Sequence, residues 1–232
     1  MGVGLLFTLL VILAEILGLL IVSLMVVLTN KYFGGYAWDG SEKQFNLHPI
    51  LMVAGFLFFY GNSVLLYKIG AGISVSKFKI KMAHFLLHLL AFVCSVVGLV
   101  AVFQYHNAQG FGNARSLHSW MGLGTVVFYG SQLVLGFLFF LYPRPREEIR
   151  AAVKPVHVFF GIFLLGMICV SVLTGLTEKI LFTDQGFDEL SPVVIVTNIF
   201  AIAVVFFAGI VTYIVTSSKF SALTLSRYDQ LN

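Results

Sequence analysis

MAHFLLHLLAFVCSVVGLVAVFQY, residues 82–105, runs for 24 residues without a formal charge. Coiled as an α-helix at about 1.5 Å per residue, such a run is longer than the ~30 Å hydrocarbon core of a bilayer. Its apolar side chains stand next to one another, as in Phe85, Leu86 and Leu87. They do not alternate with polar ones, so this is no barrel strand, and the helix is the remaining structure that satisfies its own backbone inside lipid.

Five further runs of this kind lie at 4–29, 48–67, 117–142, 156–177 and 192–216. With 59% apolar and 10% charged residues, and a mean hydropathy of +0.98, the chain lies far from the composition of soluble domains. The expectation is an all-α membrane protein with six transmembrane helices. Residues 1–232 form a single domain whose last residues make a short tail. Glycines 34, 35 and 40 break the first loop, Pro143 and Pro145 end span four, and Pro192 opens span six. Pro155 is expected in the first turn of span five.

The net charge of +4 is sorted by membrane side and does not point to nucleic acid. Lys68, Lys77, Lys79, Lys81, Arg144, Arg146, Arg150, Lys154, Lys219 and Arg227 follow even-numbered spans. Lys31, Lys43, Arg115 and Lys179 occupy the other loops, and ten against four places both termini in the cytosol. The first span lacks a basic n-region and a small-residue cleavage site, so a retained anchor is expected. Cys94 and Cys169 fall mid-span, and no CxxCH motif is present to attach haem covalently.

His48, His84, His118 and His157 each stand at or near the start of an apolar run, in four consecutive runs. Successive spans reverse direction, which sorts them into pairs: His48 with His118 on the outer side, His84 with His157 on the cytosolic side. Imidazole is a neutral axial ligand for haem iron, so two stacked pairs read as two b-type haems in a central four-helix bundle. A histidine inside a span is otherwise a hydrogen-bonded core residue. Two imidazoles alone fall short of the tetrahedral set that zinc requires. His48 and His84 are 36 residues apart and His118 and His157 are 39 apart, a hint of internal duplication.

Lys77, Lys81, His84 and His88 follow at steps of four, three and four, which puts them on one helical face. The lysines would hold an anionic donor or haem propionates, or else only anchor the span at headgroups. His88 reads as a haem-pocket hydrogen-bonding residue. Arg150 and Lys154 complete a cationic rim on that side. At the other face stand His106, Asn107 and Arg115; His106 is read as part of an outer acceptor site, with an ordinary interfacial histidine as the alternative. Glu178 and Lys179 read as a surface ion pair, and Glu15 inside span one has no assigned role. No side chain is expected to act as a covalent or acid–base catalyst.

FNLHP at 45–49, SLHSW at 116–120, KPVHVFFG at 154–161, TGLTEK at 174–179 and the HxxxH of span three resemble the cytochrome b561 family. The resemblance covers residues from about 33 to 200. It implies a six-helix dihaem protein, usually a homodimer, that passes electrons from cytosolic ascorbate to monodehydroascorbate or ferric chelates across the membrane. By the same resemblance, Lys77, Lys81 and Arg150 are ascorbate contacts, and His106, with Asn107 and Arg115 beside it, belongs to the outer substrate site. Where many members carry an aromatic residue before SLHSW this chain has Arg115, which favours anionic acceptors; the family's YR at the end of span two is Tyr67 and Lys68. Residues 228–231, YDQL, resemble tyrosine-based endosomal and lysosomal sorting signals, leaving an endosomal, lysosomal or plasma membrane location open. The rival readings are a quinol-fed b-type haem subunit and a non-redox metal or proton transporter.

Overall fold

Apolar runs of this length have to satisfy their backbones internally, and each becomes a helix. The computed structural model describes residues 2–70, 75–183, 186–187 and 189–220, which excludes Arg227 and the sorting-like residues 228–231. Six helices are long and apolar enough to cross a membrane: α1 (Val3–Tyr32), α2 (Glu42–Gly70), α3 (Lys77–Gln109), α4 (Leu117–Phe140), α5 (Glu147–Leu181) and α6 (Pro192–Thr216). No strand occurs among the described residues.

Several helices extend past the apolar run that predicts them, because local caps and not hydrophobicity set their ends. Ser41, Ser76 and Ser116 accept N–H bonds from Lys43, Lys79 and Ser119 and so open α2, α3 and α4. Gly110, at φ +71°, closes α3 in the left-handed conformation that glycine adopts without strain. The expected placement of Pro155 is corrected: α5 begins at Glu147, so Pro155 lies inside the helix. Glu147 and Glu148 in the first turn favour the early start through the helix dipole. The helix runs on past the proline although its ring nitrogen has no hydrogen to donate.

Helices α2 to α5 form a closed ring in sequence order, with α2 also meeting α5. Outside it, α6 packs on α2 and α5, while α1 packs on α6 and α2. Ile21, Tyr60, Leu164, Ile168, Phe200, Phe207 and Ile214 are fully buried between these layers. Leu86, Leu89, Val93 and Val96 of α3, like Phe159 and Phe163 of α5, point outward and are exposed. Apolar residues on both faces fit a bundle whose solvent is lipid. A π-helical stretch at Val53–Phe59 interrupts α2 along its contact with α3. There Gly55 admits the contact: a Cβ on it would lie 2.9 Å from the Ala91 carbonyl oxygen. Cys94 and Cys169 are free thiols.

Candidate functional site

The ring sets α2 diagonally across from α4, and α3 diagonally across from α5. Each diagonal carries one histidine pair. The His48 and His118 rings have centroids 6.0 Å apart and lie near perpendicular, at 83°. The His84 and His157 rings are 6.4 Å apart. Two metal–nitrogen bonds of about 2 Å and two ring radii of roughly 1.1 Å predict about 6 Å between imidazoles sharing one metal ion. Both pairs have that spacing.

Hydrogen bonding prepares the rings for such a role. His48 Nδ1 faces the Gly98 carbonyl oxygen at 3.2 Å, His118 Nδ1 that of Ser171 at 2.8 Å, and His84 Nδ1 that of Ser63 at 2.9 Å. A carbonyl accepts only from a protonated nitrogen, so each of these imidazoles, in its neutral form, keeps its Nε2 lone pair for a ligated atom. Gln132 Nε2 donates to the His157 carbonyl oxygen at 2.7 Å and fixes the backbone there. Glycines make room for two rings: a Cβ at Gly175 would fall 2.6 Å from His118 Cε1, and one at Gly136 would fall 3.1 Å from His157 Cε1. Among the described residues, no group of three or more His, Cys, Asp or Glu side chains could hold a bare ion. Two-point clamps of this kind suit iron whose other four positions a porphyrin fills. A cavity of about 770 Å³ opens around His48 and His118, the size range of a cofactor site, and extends to His106 and Arg115.

Between the pairs the interior is aromatic. The His88 ring lies 4.4 Å from that of His84, and His88 Nδ1 is 2.7 Å from the Tyr129 hydroxyl. That hydroxyl donates to the His88 carbonyl oxygen at 2.9 Å, which requires His88 Nδ1 to be the other donor. Tyr60 donates to the Gly161 carbonyl oxygen, and Phe56, 4.9 Å from the Tyr129 ring, reaches the wall of the His48 cavity. Tyr129, Tyr60, Ser63 and Gly136 are absent from the sequence reading, and Gly175 enters it only as part of TGLTEK. A hydroxyl or a glycine inside an apolar run was the available signal, but which helix each one faces is a tertiary fact.

At the His84 end, Lys81 Nζ donates to the Phe140 carbonyl oxygen at 3.4 Å, and Arg144, Arg150 and Lys77 act on it electrostatically. Arg150 Nε is buried without a hydrogen-bond partner. Tyr67 packs its ring 5.2 Å from that of His84. At the opposite end, Asn113 ties two of the expected residues together. Its Oδ1 is 3.1 Å from His106 Nδ1, and its Nδ2 donates to Asn107 Oδ1 at 2.9 Å. His106 and Arg115 line the cavity, whereas Asn107 does not and is joined to His106 through Asn113.

The expected Glu178 and Lys179 ion pair is corrected. Neighbours on a helix point apart, and each finds a different partner. Lys179 Nζ pairs with Glu42 Oε2 at 3.3 Å and lies over the rings of Phe45 and Phe33, 4.4 and 5.0 Å from their centroids. Glu178 Oε2 accepts from Ser116 Oγ at 3.2 Å. Glu42 also accepts from the Tyr105 hydroxyl, so one carboxylate joins α2, α3 and α5 at the cavity mouth. In the preceding loop, hydrogen bonds from the Ser41 hydroxyl and N–H hold the Asp39 carboxyl below its usual range. Glu15 lies near Asn62, on α2.

Residues 47–183 match the family described as eukaryotic cytochrome b561. The chain is 39% identical over 204 residues to the plasma membrane ascorbate-dependent reductase CYBRD1 of Xenopus tropicalis, across 87% of this chain and 72% of that protein. It is 40% identical over 207 residues to the human lysosomal membrane ascorbate-dependent ferrireductase CYB561A3, across 88% and 86% of the two chains. To the human transmembrane ascorbate-dependent reductase CYB561 it is 39% identical over 206 residues, across 88% and 80%. A match that takes in both histidine diagonals, with relatives aligned along most of their length, leaves one assignment: the chain belongs to the eukaryotic cytochrome b561 family.

Proposed function

We propose that this chain is a multi-pass membrane oxidoreductase that carries single electrons from cytosolic ascorbate to a ferric chelate or monodehydroascorbate on the other side. The observation that carries the reading is the pair of diagonal imidazole couples, 6.0 and 6.4 Å apart, one toward each end of the helical ring. His48 and His118 would hold one b-type haem and His84 and His157 a second, and when bound each supplies a one-electron iron couple.

The protein residues have separable tasks. Lys77, Lys81 and Arg150 attract and orient the ascorbate anion on the side that the positive-inside bias makes cytosolic. Carbonyl acceptors on neighbouring helices hold the imidazoles in one tautomer. His88, Tyr129, Tyr60 and Phe56 fill the space between the pairs and would keep water from a haem held by either couple. His106, Asn107 and Arg115, braced by Asn113, receive the acceptor, and the Arg115 guanidinium favours anionic chelates. The membrane is endosomal, lysosomal or plasma membrane, and the working unit is a homodimer.

An optical spectrum of the purified protein before and after ascorbate tests the reading, together with a count of haem per chain. Two haems, both reduced by ascorbate, are expected. A colourless protein would return the histidines to proton or metal transport, and a haem protein reduced by quinol but indifferent to ascorbate would reassign the donor.

A further inference from the structure

Four cations gather at the His84 end, and one of them lies outside the donor contacts assigned above. Lys81 reaches the last turn of α4 through its bond to the Phe140 carbonyl oxygen. Just beyond that turn, between Pro143 and Pro145, stands Arg144. Of the charges acting on Lys81, that of Arg144 is felt most, ahead of those of Arg150 and Lys77. Its backbone takes φ +60°, a region that L residues other than glycine seldom enter. Such strain persists where the surroundings over-determine it, and it collects at ligand clamps. The second observation is independent: the buried Nε of Arg150 has no acceptor in the protein. A buried guanidinium donor without a partner is costly unless a ligand supplies one.

Charge counting separates a monoanion from a more highly charged guest. A guest with two negative charges would meet more of this cationic cluster than the single charge of ascorbate does. Arg144 and Lys77 are the exposed members, and Arg144 stands beyond the end of α4, so cationic charge faces the incoming ligand. Guanidinium groups present forked N–H donors that match the oxygens of a phosphate better than an ammonium does. Glu147 and Glu148 open α5 nearby, both exposed, where the helix N-terminus favours them.

We propose that Arg144, with Arg150 and Lys81, forms an oxyanion subsite at this mouth that takes a dianionic phosphate group, and that such anions compete there with the electron donor. Only the competition rests on the donor reading; the subsite itself does not. The phosphate would belong either to a free metabolite or to a lipid headgroup.

The test uses the haem-loaded protein in phosphatidylcholine nanodiscs. Binding of inorganic phosphate is followed by the broadening of its phosphorus resonance at constant ionic strength. Saturable binding is expected in the wild type. Arg144→Ala should weaken it about tenfold or more, the loss expected of a charged hydrogen-bonded contact. Arg146→Ala, which removes a neighbouring exposed cation, should stay within about twofold, the scale of a screened surface charge. In parallel, phosphate should raise the KM for ascorbate in the wild type without changing kcat, and should not do so in Arg144→Ala. Equal binding by the wild type and Arg144→Ala, or equal losses in both variants, would overturn the subsite. A protein that ascorbate does not reduce would remove the donor reading, while the resonance measurement still decides the subsite. Phosphatidic acid in the disc should displace inorganic phosphate if a lipid headgroup is the occupant; unchanged binding assigns the site to a free phosphate.

Discussion

Gly175→Ala replaces one hydrogen by a methyl group at the back of the His118 ring. The new Cβ would lie 2.6 Å from Cε1 and 2.8 Å from Nδ1 of that ring. Carbon atoms settle at about 3.5 Å or more, so the ring or the helix must give by roughly 0.9 Å. The ring cannot retreat without lengthening its 2.8 Å bond to the Ser171 carbonyl oxygen or losing its 6.0 Å register with His48. Forcing a methyl group into a packed interior costs about 1–3 kcal/mol, and disturbing the partner of a metal-ligating histidine costs about 10–100-fold in affinity. Haem per chain, measured as the pyridine haemochromogen, should fall from two toward one, with the remaining haem still reduced by ascorbate. Gly136→Ala should be milder, since its Cβ meets His157 Cε1 at 3.1 Å and a few tenths of an ångström suffice. Gly166→Ala, on the same helix as Gly175, meets nothing within 4 Å and should keep both haems. Full haem content and an unchanged thermal midpoint in Gly175→Ala would refute the cradle.

Other substitutions probe the remaining parts separately. His118→Ala should remove the outer haem and abolish transfer across the membrane while the inner haem stays reducible; two unaltered haem signals would reject the pairing. Lys81→Ala should raise the KM for ascorbate about tenfold, by loss of one charged contact at the mouth, and unchanged kinetics would move the donor elsewhere. Tyr129→Phe leaves both the Nδ1 and the carbonyl oxygen of His88 without their partner. The cost should be about 1–3 kcal/mol, read as a lower midpoint for thermal loss of haem absorbance; an unchanged midpoint would show that water replaces the hydroxyl.

The six helices are legible in the sequence because lipid leaves an apolar run of about 20 residues few alternatives. The ends are less so: the early start of α5 depends on Glu147 and Glu148 in a first turn beyond the hydrocarbon, where hydropathy says nothing. The histidine pairs could be sorted by chain direction alone, since direction fixes which end each ring occupies. Their supports could not. Gly98 and Ser171 contribute carbonyl oxygens, which any residue possesses, so side-chain identity carries no mark of the role; Ser63 adds its hydroxyl, but the helix that it faces is not written in the sequence. The same limit explains the pairing of Lys179 with Glu42, 137 residues away along the chain. Arg144 was legible only as one more basic residue on the cytosolic side, because its closeness to Lys81 depends on how the chain leaves α4.

The carbonyl partners also show how the two halves of the ring divide the work. His48 on α2 leans on α3 at Gly98, and His84 on α3 leans back on α2 at Ser63. In the second half, His118 on α4 leans on α5 at Ser171, and Gln132 on α4 holds the backbone of His157 on α5. Each hairpin therefore orients its own two ligands by hydrogen bonds made within that hairpin. Packing follows the same division: α2 with α3 and α4 with α5 meet more extensively than α3 meets α4 or α2 meets α5. The couples, by contrast, join the hairpins, since His48 faces His118 and His84 faces His157. A group bridging both couples would lock together two units that are otherwise more tightly joined within than between. Any stability gained on binding is then concentrated at the seam between the hairpins, and both ends of the electron path depend on that one interface.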